Sequence, residues 1–290
     1  MKPRLQHTLA RPAEISGFGL FTGEDVTVRC LPAPEHYGLA FQRIDLPGQP
    51  RIPARVRYVE PGLRRTVLRR GEARVQVVEH LLAALAGLQI DNCLIQMSAS
   101  EPPAGDGSAD HFVAELLDAG RVPQRARRRI CRIGAHDVIN GANGGGIEIA
   151  SVAESHCQIT YDLDYPGTPI GQQSCSVTVT PRSFVANLSY ARTFVFESEV
   201  QGMRSQGFGL RATTENLILF GADGPIDTAL RGETECARHK ALDCIGDLAL
   251  LGCDIVGHIH CRHSGHALNH EVVRRLEQQL HSVRPLAAAG

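Results

Sequence analysis

The sequence predicts a fold of mixed strands and helices, built as two halves of similar plan. Three observations carry this. At 290 residues the chain is long enough for one large domain or two ordinary ones, and either can bury a core. Short alternating runs bounded by Gly and Pro are interspersed with segments of helical period. One pattern also occurs twice: "VEHLLAALAGLQIDNCLIQ" and "ARHKALDCIGDLALLGCDIVGHIH" each place a His at the start of an apolar helix, then a Gly, then a strand. Residue identity between the two is slight, so the duplication rests on the order of elements. On that order His80 and His239 are equivalent and can face one another across an interface, a common place for a site.

The elements follow in sequence. "EDVTVRCLPAP" and "GLAFQRIDL" alternate as strands. "RRTVLRRGEARVQVVEHLLAALAGL" runs from a strand into a helix, and "QIDNCLIQMSA" returns as a strand. "PPAGDGSADHFVAELLDAG" is a Gly-rich turn and then a helix, with Ala109, Phe112, Leu116 and Leu117 near helical spacing and Gly120 placed to end it. The basic stretch "RVPQRARRRICR" reads as the linker, which puts an N-terminal domain at 1–124, the linker at 125–132 and a C-terminal domain at 133–290. Beyond it, "GGGIEIASV" and "HCQITYDLDYP" read as strands, and "QSCSVTVTPRSFVANLSYARTF" as a strand and a helical piece. "ECARHKALDCIGDLALLG" is a buried helix and "CDIVGHIHCRH" a strand. "NHEVVRRLEQQLH" is a last helix with Val272, Leu276 and Leu280 on one face.

Composition excludes several classes. The formal net charge of −1 gives no bulk attraction to nucleic acid or an anionic membrane. Trp is absent and there is no aromatic-basic stripe, which disfavours a nucleic-acid binder. "LLAALAGL" is too short to span a bilayer, and the N-terminus has no apolar secretory region. Nine cysteines, an odd number without CxxC, predict free thiols in a reducing cytosol rather than a thiolate zinc site. The chain stops soon after its last helix, so no fused second enzyme is expected.

The helix from Glu235 to Gly252 carries His239, Asp243 and Asp247, four residues apart each time. Residues so spaced differ by about 40° around the axis and about 6 Å along it, so His239 and Asp243 can share one ion. Such a pair also serves as a buried structural hydrogen bond. Burying two carboxylates and an imidazole is costly unless they are paired or bind metal, which favours a site. "VVEH" supplies Glu79 and His80, an acid beside a His at a helix start. In zinc hydrolases the His of such a pair binds metal and the Glu takes a proton from water. His80, His239 and Asp243 with an open fourth position fit catalytic zinc. "HIHCRHSGHALNH" adds His258, His260, His263, His266 and His270. A second metal site or a plain domain surface both suit His258 and His260, whereas His266 lies in a turn that can present it to a site.

"VEHLLAALAGLQIDN", "GDGSA", "ARTF", "RHKALDCIGDL" and "SGHALN", in that order, resemble the zinc-dependent UDP-3-O-acyl-N-acetylglucosamine deacetylases of lipid A synthesis, from "GFGLFTGEDVTV" to the last helix. The resemblance implies two α+β domains, each a small sheet layered against helices, with one catalytic Zn2+ (or Fe2+) between them. It implies His80, His239 and Asp243 as ligands, Glu79 as general base, and His266 as catalytic acid oriented by Asp247. Thr193 would assist at the oxyanion, with Arg192 and Phe194 completing Arg-Thr-Phe. Lys240 would meet the phosphates and Glu199 the ribose, and 194–210 would wall an acyl passage. "PAGDGSAD" reads as a tight turn and helix cap around Asp106 and Ser108.

The implied reaction is hydrolysis of an N-acetyl group, giving acetate and a 2-amino sugar. The implied partner is an amphipathic UDP-sugar, met in the cytoplasm by a monomer with no nucleic acid and no stable membrane insertion. Three positions depart from the pattern: Phe21 where a His is common, Leu163 where an aromatic often stacks on uracil (Tyr165 is close by), and His263 where a basic residue is usual. They leave open the same chemistry on another substrate, and a non-catalytic binding homologue.

Overall fold

The first half of the chain alternates along β1 (Leu5–Leu9), β2 (Ala13–Phe18), β3 (Asp25–Pro32), β4 (Leu39–Arg43) and β5 (Arg51–Pro53). Three short strands follow, β6 (Val59–Glu60), β7 (Val67–Arg70) and β8 (Ala73–Gln76), then α1 (Glu79–Gly87), β9 (Cys93–Met97) and α2 (Asp110–Ala119). Next come β10 (Arg121–Arg127), β11 (Ile130–Arg132), β12 (Asp137–Asn140), β13 (Gly146–Ala150), β14 (Cys157–Tyr165), β15 (Gly171–Thr178) and α3 (Pro181–Asn187). The chain continues through β16 (Phe194–Phe196), α4 (Glu197–Ser205), β17 (Ile218–Phe220), β18 (Pro225–Ile226), α5 (Glu235–Leu248), β19 (Asp254–Arg262) and α6 (His266–Ser282). The structure is a computed structural model that describes residues 3–141, 144–153 and 155–282; the end of the expected second domain, 283–290, lies outside them.

Two sheets repeat one plan. The first has the order β2-β3-β9-β4-β5 and the second β12-β13-β19-β14-β15. In each, the last strand of the set inserts between its second and third strands. It runs parallel to the third, and every other pairing along the path is antiparallel. In each half one helix precedes the inserted strand and one follows it, α1 and α2 around β9, α5 and α6 around β19. The α+β class therefore stands, and α1 and α5, which carry His80 and His239, occupy equivalent places.

Alternation sets the faces. Val26, Val28 and Cys30 of β3 point inward, as do Ile147 and Ile149 of β13 and Ile159, Tyr161 and Leu163 of β14. Against these faces pack α1 and α5, both buried almost all round; α1 is apolar on most sides, whereas α5 buries Glu235, His239, Asp243 and Asp247, which must find partners. Leu81, Leu82 and Leu85 are fully buried, each contributing about 1.5–3 kcal/mol. The two helices cross closely at Gly246, where a Cβ would lie 2.0 Å from the Glu79 carbonyl oxygen. At the far end of α1, Arg4 and Arg128 each pair with both Asp91 and Asp254, tying first-half residues to second-half ones.

Some local expectations change. The basic stretch read as a linker holds β10, antiparallel to β1, and β11, parallel to β19. The arginines of β10 face solvent, so the run reads as coil although its backbone is paired. The piece before α1 is a hairpin of two strands, β7 and β8. In α2, Leu117 is 55% exposed and Val113 takes the core position, because Leu117 lies about 100° around the helix from Leu116. Gly120 does end α2, with φ of 73°. All nine cysteines are free. No helix among the described residues is long and apolar enough to cross a membrane.

Candidate metal centre and active site

Because α1 begins where it crosses α5, its first two side chains, Glu79 and His80, meet the middle of α5. His80 Nε2 lies 3.0 Å from His239 Nε2 and 3.3 Å from Asp243 Oδ1, and the third edge is 3.6 Å. A tetrahedral ion at ~2.0–2.1 Å from each ligand needs them about 3.3–3.4 Å apart, so the triangle fits one. The polar accounting agrees. Asp243 Oδ1 is buried without a hydrogen-bond partner, a cost that a cation would remove. Burial holds His239 down at about 3, so it presents a neutral nitrogen lone pair. Burial opposes charge on Asp243 too, but the Lys240 ammonium, 2.7 Å from Oδ2, outweighs it, and the carboxyl lies well below the usual range. His239 and Asp243 are thus in the protonation states a divalent ion requires.

Around the triangle lie three more buried titratable groups, Glu79, His266 and Asp247. Glu79 is buried, and its Oε2 accepts from the Thr66 amide at 3.1 Å. Its Oε1 faces His266 Nε2 at 3.7 Å. Burial raises the Glu79 pKa, partly offset by His266. His266, the first residue of α6, has its Nδ1 2.8 Å from Asp247 Oδ2. Burial works against its charge, but Asp247 and Glu79 prevail and raise it to about 9. Asp247, one turn beyond Asp243, is held low by His266 and His270 despite its burial.

A cavity of about 770 Å³ opens onto this set, within the range of small-molecule sites. Glu79, His80, His239, Asp243 and His266 lie on its wall with Thr193, Phe194, Glu199 and Lys240. Thr193 is fixed from both sides: its amide donates to Gly107 O at 2.8 Å, and its carbonyl accepts from Ile218 N at 2.8 Å. Gly107 sits at φ of 86°, where a Cβ would come 2.4 Å from Asn216 O, so the turn requires glycine there. Within that turn Ser108 donates to Asp106 through N–H and hydroxyl, at 3.0 and 2.6 Å. Arg192 and Glu235 form a buried ion pair at 2.8 Å, tying the segment that carries Thr193 and leads into β16 to the start of α5. The Phe194 ring packs edge-on to His239, 5.9 Å between centroids.

The segment 194–210 holds β16 and α4 over residues 194–205 and a turn over the rest. Its Phe194, Phe196, Val200, Met203 and Phe208 face the cavity. Lys240 donates to Asp243 Oδ2 at 2.7 Å, and Glu199 pairs with Arg64. Phe21 packs edge-on to Phe208, with the Arg65 guanidinium 4.6 and 4.9 Å from the two rings. Leu163 lies in the core, and Tyr165 takes the cavity wall, its ring 5.0 Å from that of His263. His258 and His260 lie apart from the site, bonded to Thr160 and Asp162. Among the described residues His80, His239 and Asp243 are the one converging metal-type group.

Sequence reasoning missed Thr66, Asn269 and the role of His270. All three bond to Asp247, the Thr66 hydroxyl closely, Asn269 Nδ2 at 2.8 Å and His270 Nε2 at 3.2 Å. For Asn269 and His270 a signal was present: they lie three and four residues beyond His266, on the face of α6 that meets α5. Thr66 carried none.

The chain also matches known proteins. The profile of the family described as UDP-3-O-acyl N-acetylglycosamine deacetylase matches residues 6–278. A UDP-3-O-acyl-N-acetylglucosamine deacetylase of Solibacter usitatus is 38% identical over 94% of this chain and 91% of its own length. Proteins of the same name from Citrifermentans bemidjiense and Thermosynechococcus vestitus are 36% and 38% identical. These alignments cover 93% and 94% of this chain, and 88% and 94% of the relatives.

Proposed function

The chain belongs to the UDP-3-O-acyl N-acetylglycosamine deacetylase family, and on that premise we propose that it removes the N-acetyl group of UDP-3-O-(3-hydroxyacyl)-N-acetylglucosamine in lipid A biosynthesis. Acetate and the free 2-amino sugar are the products. One observation carries the reading: the His80, His239 and Asp243 triangle stands beside a buried Glu79 and His266 on the wall of an apolar cavity.

Two imidazoles and a carboxylate support Zn2+ as the ion, with Fe2+ as the alternative. When bound, the metal supplies a Lewis acid for the carbonyl and a lower pKa for water. The protein's own groups do the rest. Glu79, its Oε2 held by Thr66, has Oε1 free to take a proton from the attacking water. His266, its Nδ1 committed to Asp247, has Nε2 free to donate to the departing amine. The pinned backbone of Thr193 supports a role for its hydroxyl at the developing oxyanion.

Phe194, Val200, Met203 and Phe208 suit an acyl chain. Lys240 and Glu199 are assigned to the diphosphate and ribose. Each is already in an ion pair, so these contacts form beside Asp243 and Arg64. We read the protein as a cytoplasmic monomer without nucleic-acid partners or stable membrane insertion. The shared strand order supports 1–124 and 133–290 as two related domains.

The test is acetate release from that UDP-sugar by metal-loaded protein. Glu79→Ala should lower the rate about 10²–10⁴-fold while retaining metal. Full activity in the variant, or none in the correctly metallated parent, refutes the reading.

A further inference from the structure

We propose that Thr66 is a positioning residue that holds the general base and the acid pair in one frame, with His270 directing its hydroxyl; this rests on the deacetylase reading above. Thr66 immediately precedes β7 and is fully buried. Its two polar ends reach the two sides of the chemistry. The backbone N–H donates to Glu79 Oε2 at 3.1 Å, and the hydroxyl donates to Asp247 Oδ1. Its carbonyl is anchored in turn by the Val77 amide at 3.0 Å. Glu79 comes from α1, Asp247 from α5 and His266 from α6; His266 faces Glu79 at 3.7 Å, and among the described residues Thr66 alone is within hydrogen-bond distance of both Glu79 and Asp247 side chains.

Counting protons fixes the direction of each bond. Asp247 is held ionised and can only accept. The Thr66 hydroxyl has one proton, and giving it to Asp247 leaves its oxygen as an acceptor. His270 Nε2 lies 3.0 Å from that oxygen and 3.2 Å from Asp247 Oδ1, so Nε2 carries the proton and donates to both. Oδ2 is then left to His266 Nδ1–H and to Asn269, each at 2.8 Å. With Nδ1 so committed, His266 must present Nε2 to Glu79 and the cavity. A carboxylate fully supplied with donors cannot swing, and neither can the imidazole bound to it.

If Thr66 only fills space, its isostere Thr66→Val is silent, since the backbone N–H to Glu79 survives. If the hydroxyl positions Asp247, kcat falls roughly 10- to 100-fold with KM within about twofold, and Thr66→Ser recovers kcat to within about threefold of the parent. A readout independent of turnover is the ¹⁵N-imidazole NMR spectrum of the metal-loaded protein, where Thr66→Val should shift both His266 and His270 and Thr66→Ser should not. Parent-like kcat or unmoved imidazole signals in Thr66→Val overturn the proposal, as does a loss that Thr66→Ser fails to recover. Should Thr66→Val not fold, His270→Leu removes the donor and keeps Thr66; parent-like kcat there overturns it equally. A parent protein inactive on the UDP-sugar would sink the deacetylase reading instead, and the NMR comparison would still decide the role of Thr66.

Discussion

Replacing Gly246 by Ala tests how the metal triangle is held. A Cβ there would lie 2.0 Å from the Glu79 carbonyl oxygen and 3.0 Å from its Cα, both backbone atoms that cannot rotate away. Reaching ordinary contact at 3.4 Å requires α1 to retreat by about 1.4 Å. His80 follows Glu79 on α1, whereas His239 and Asp243 belong to α5. The two edges that cross between the helices, 3.0 and 3.3 Å, must then lengthen past what one ion at ~2.0–2.1 Å can bridge. Overpacking of this kind costs about 1–3 kcal/mol, which a chain of this size survives folded. Metal affinity should fall roughly 10- to 100-fold, and turnover at saturating metal by about 10², the usual effect of a 1 Å misplacement. Competition with a chelator of known affinity, alongside thermal denaturation, measures both. A Gly246→Ala protein with parent metal affinity and parent rate would refute the idea that this crossing sets the triangle.

Three other expectations can be checked directly. In metal-free protein His266 is raised from 6.5 to about 9, so its contribution to stability is complete below pH 6.5 and lost as pH rises through 9; urea titrations across that window should show the decline, and His266→Gln should flatten it. Arg192→Leu strands Glu235, which is fully buried and also accepts from the backbone amides of Arg192 and Arg231; a loss of about 3–5 kcal/mol by denaturant titration is expected, most of it recovered when Glu235 is also made apolar. Leu117→Lys should change stability by no more than about 0.5 kcal/mol, since that side chain faces water; a larger loss in the same titration would contradict the exposed placement.

What could be read from sequence depended on whether a residue's role is written in its own neighbourhood. His239, Asp243 and Asp247 repeat at the helical period, and Glu79 and His80 are adjacent, so their convergence needed only that α1 and α5 meet. Lys240 shows the limit. Three residues before Asp243 it shares that carboxylate's face, and the spacing could have given the ion pair that the phosphate assignment overlooked. Thr66 lay beyond reach, because a threonine before a short strand is unremarkable until Asp247, 181 residues away, packs against it. The same holds for β10: Arg121, Arg125 and Arg127 share one exposed face and no residue on the other is buried, so no polar–apolar alternation marked it as a strand. Helix α4 buries nothing in the core, and its apolar side chains face the cavity, leaving no stripe to read.

The triangle's reach along the chain bears on when the protein can acquire its ion during synthesis. His80 and His239 are separated by 159 residues, and the chain between them builds most of the second sheet. A ribosome that has released only the first 124 residues exposes Glu79 and His80 with nothing to complete them. At ~5–20 residues per second, the interval before α5 emerges is on the order of ten seconds or more, during which α1 lacks the helix that it crosses in the folded chain. Metal loading is therefore a late event that follows docking of α5, and a nascent chain stalled before residue 235 is a poor competitor for the ion however much of it the surroundings hold.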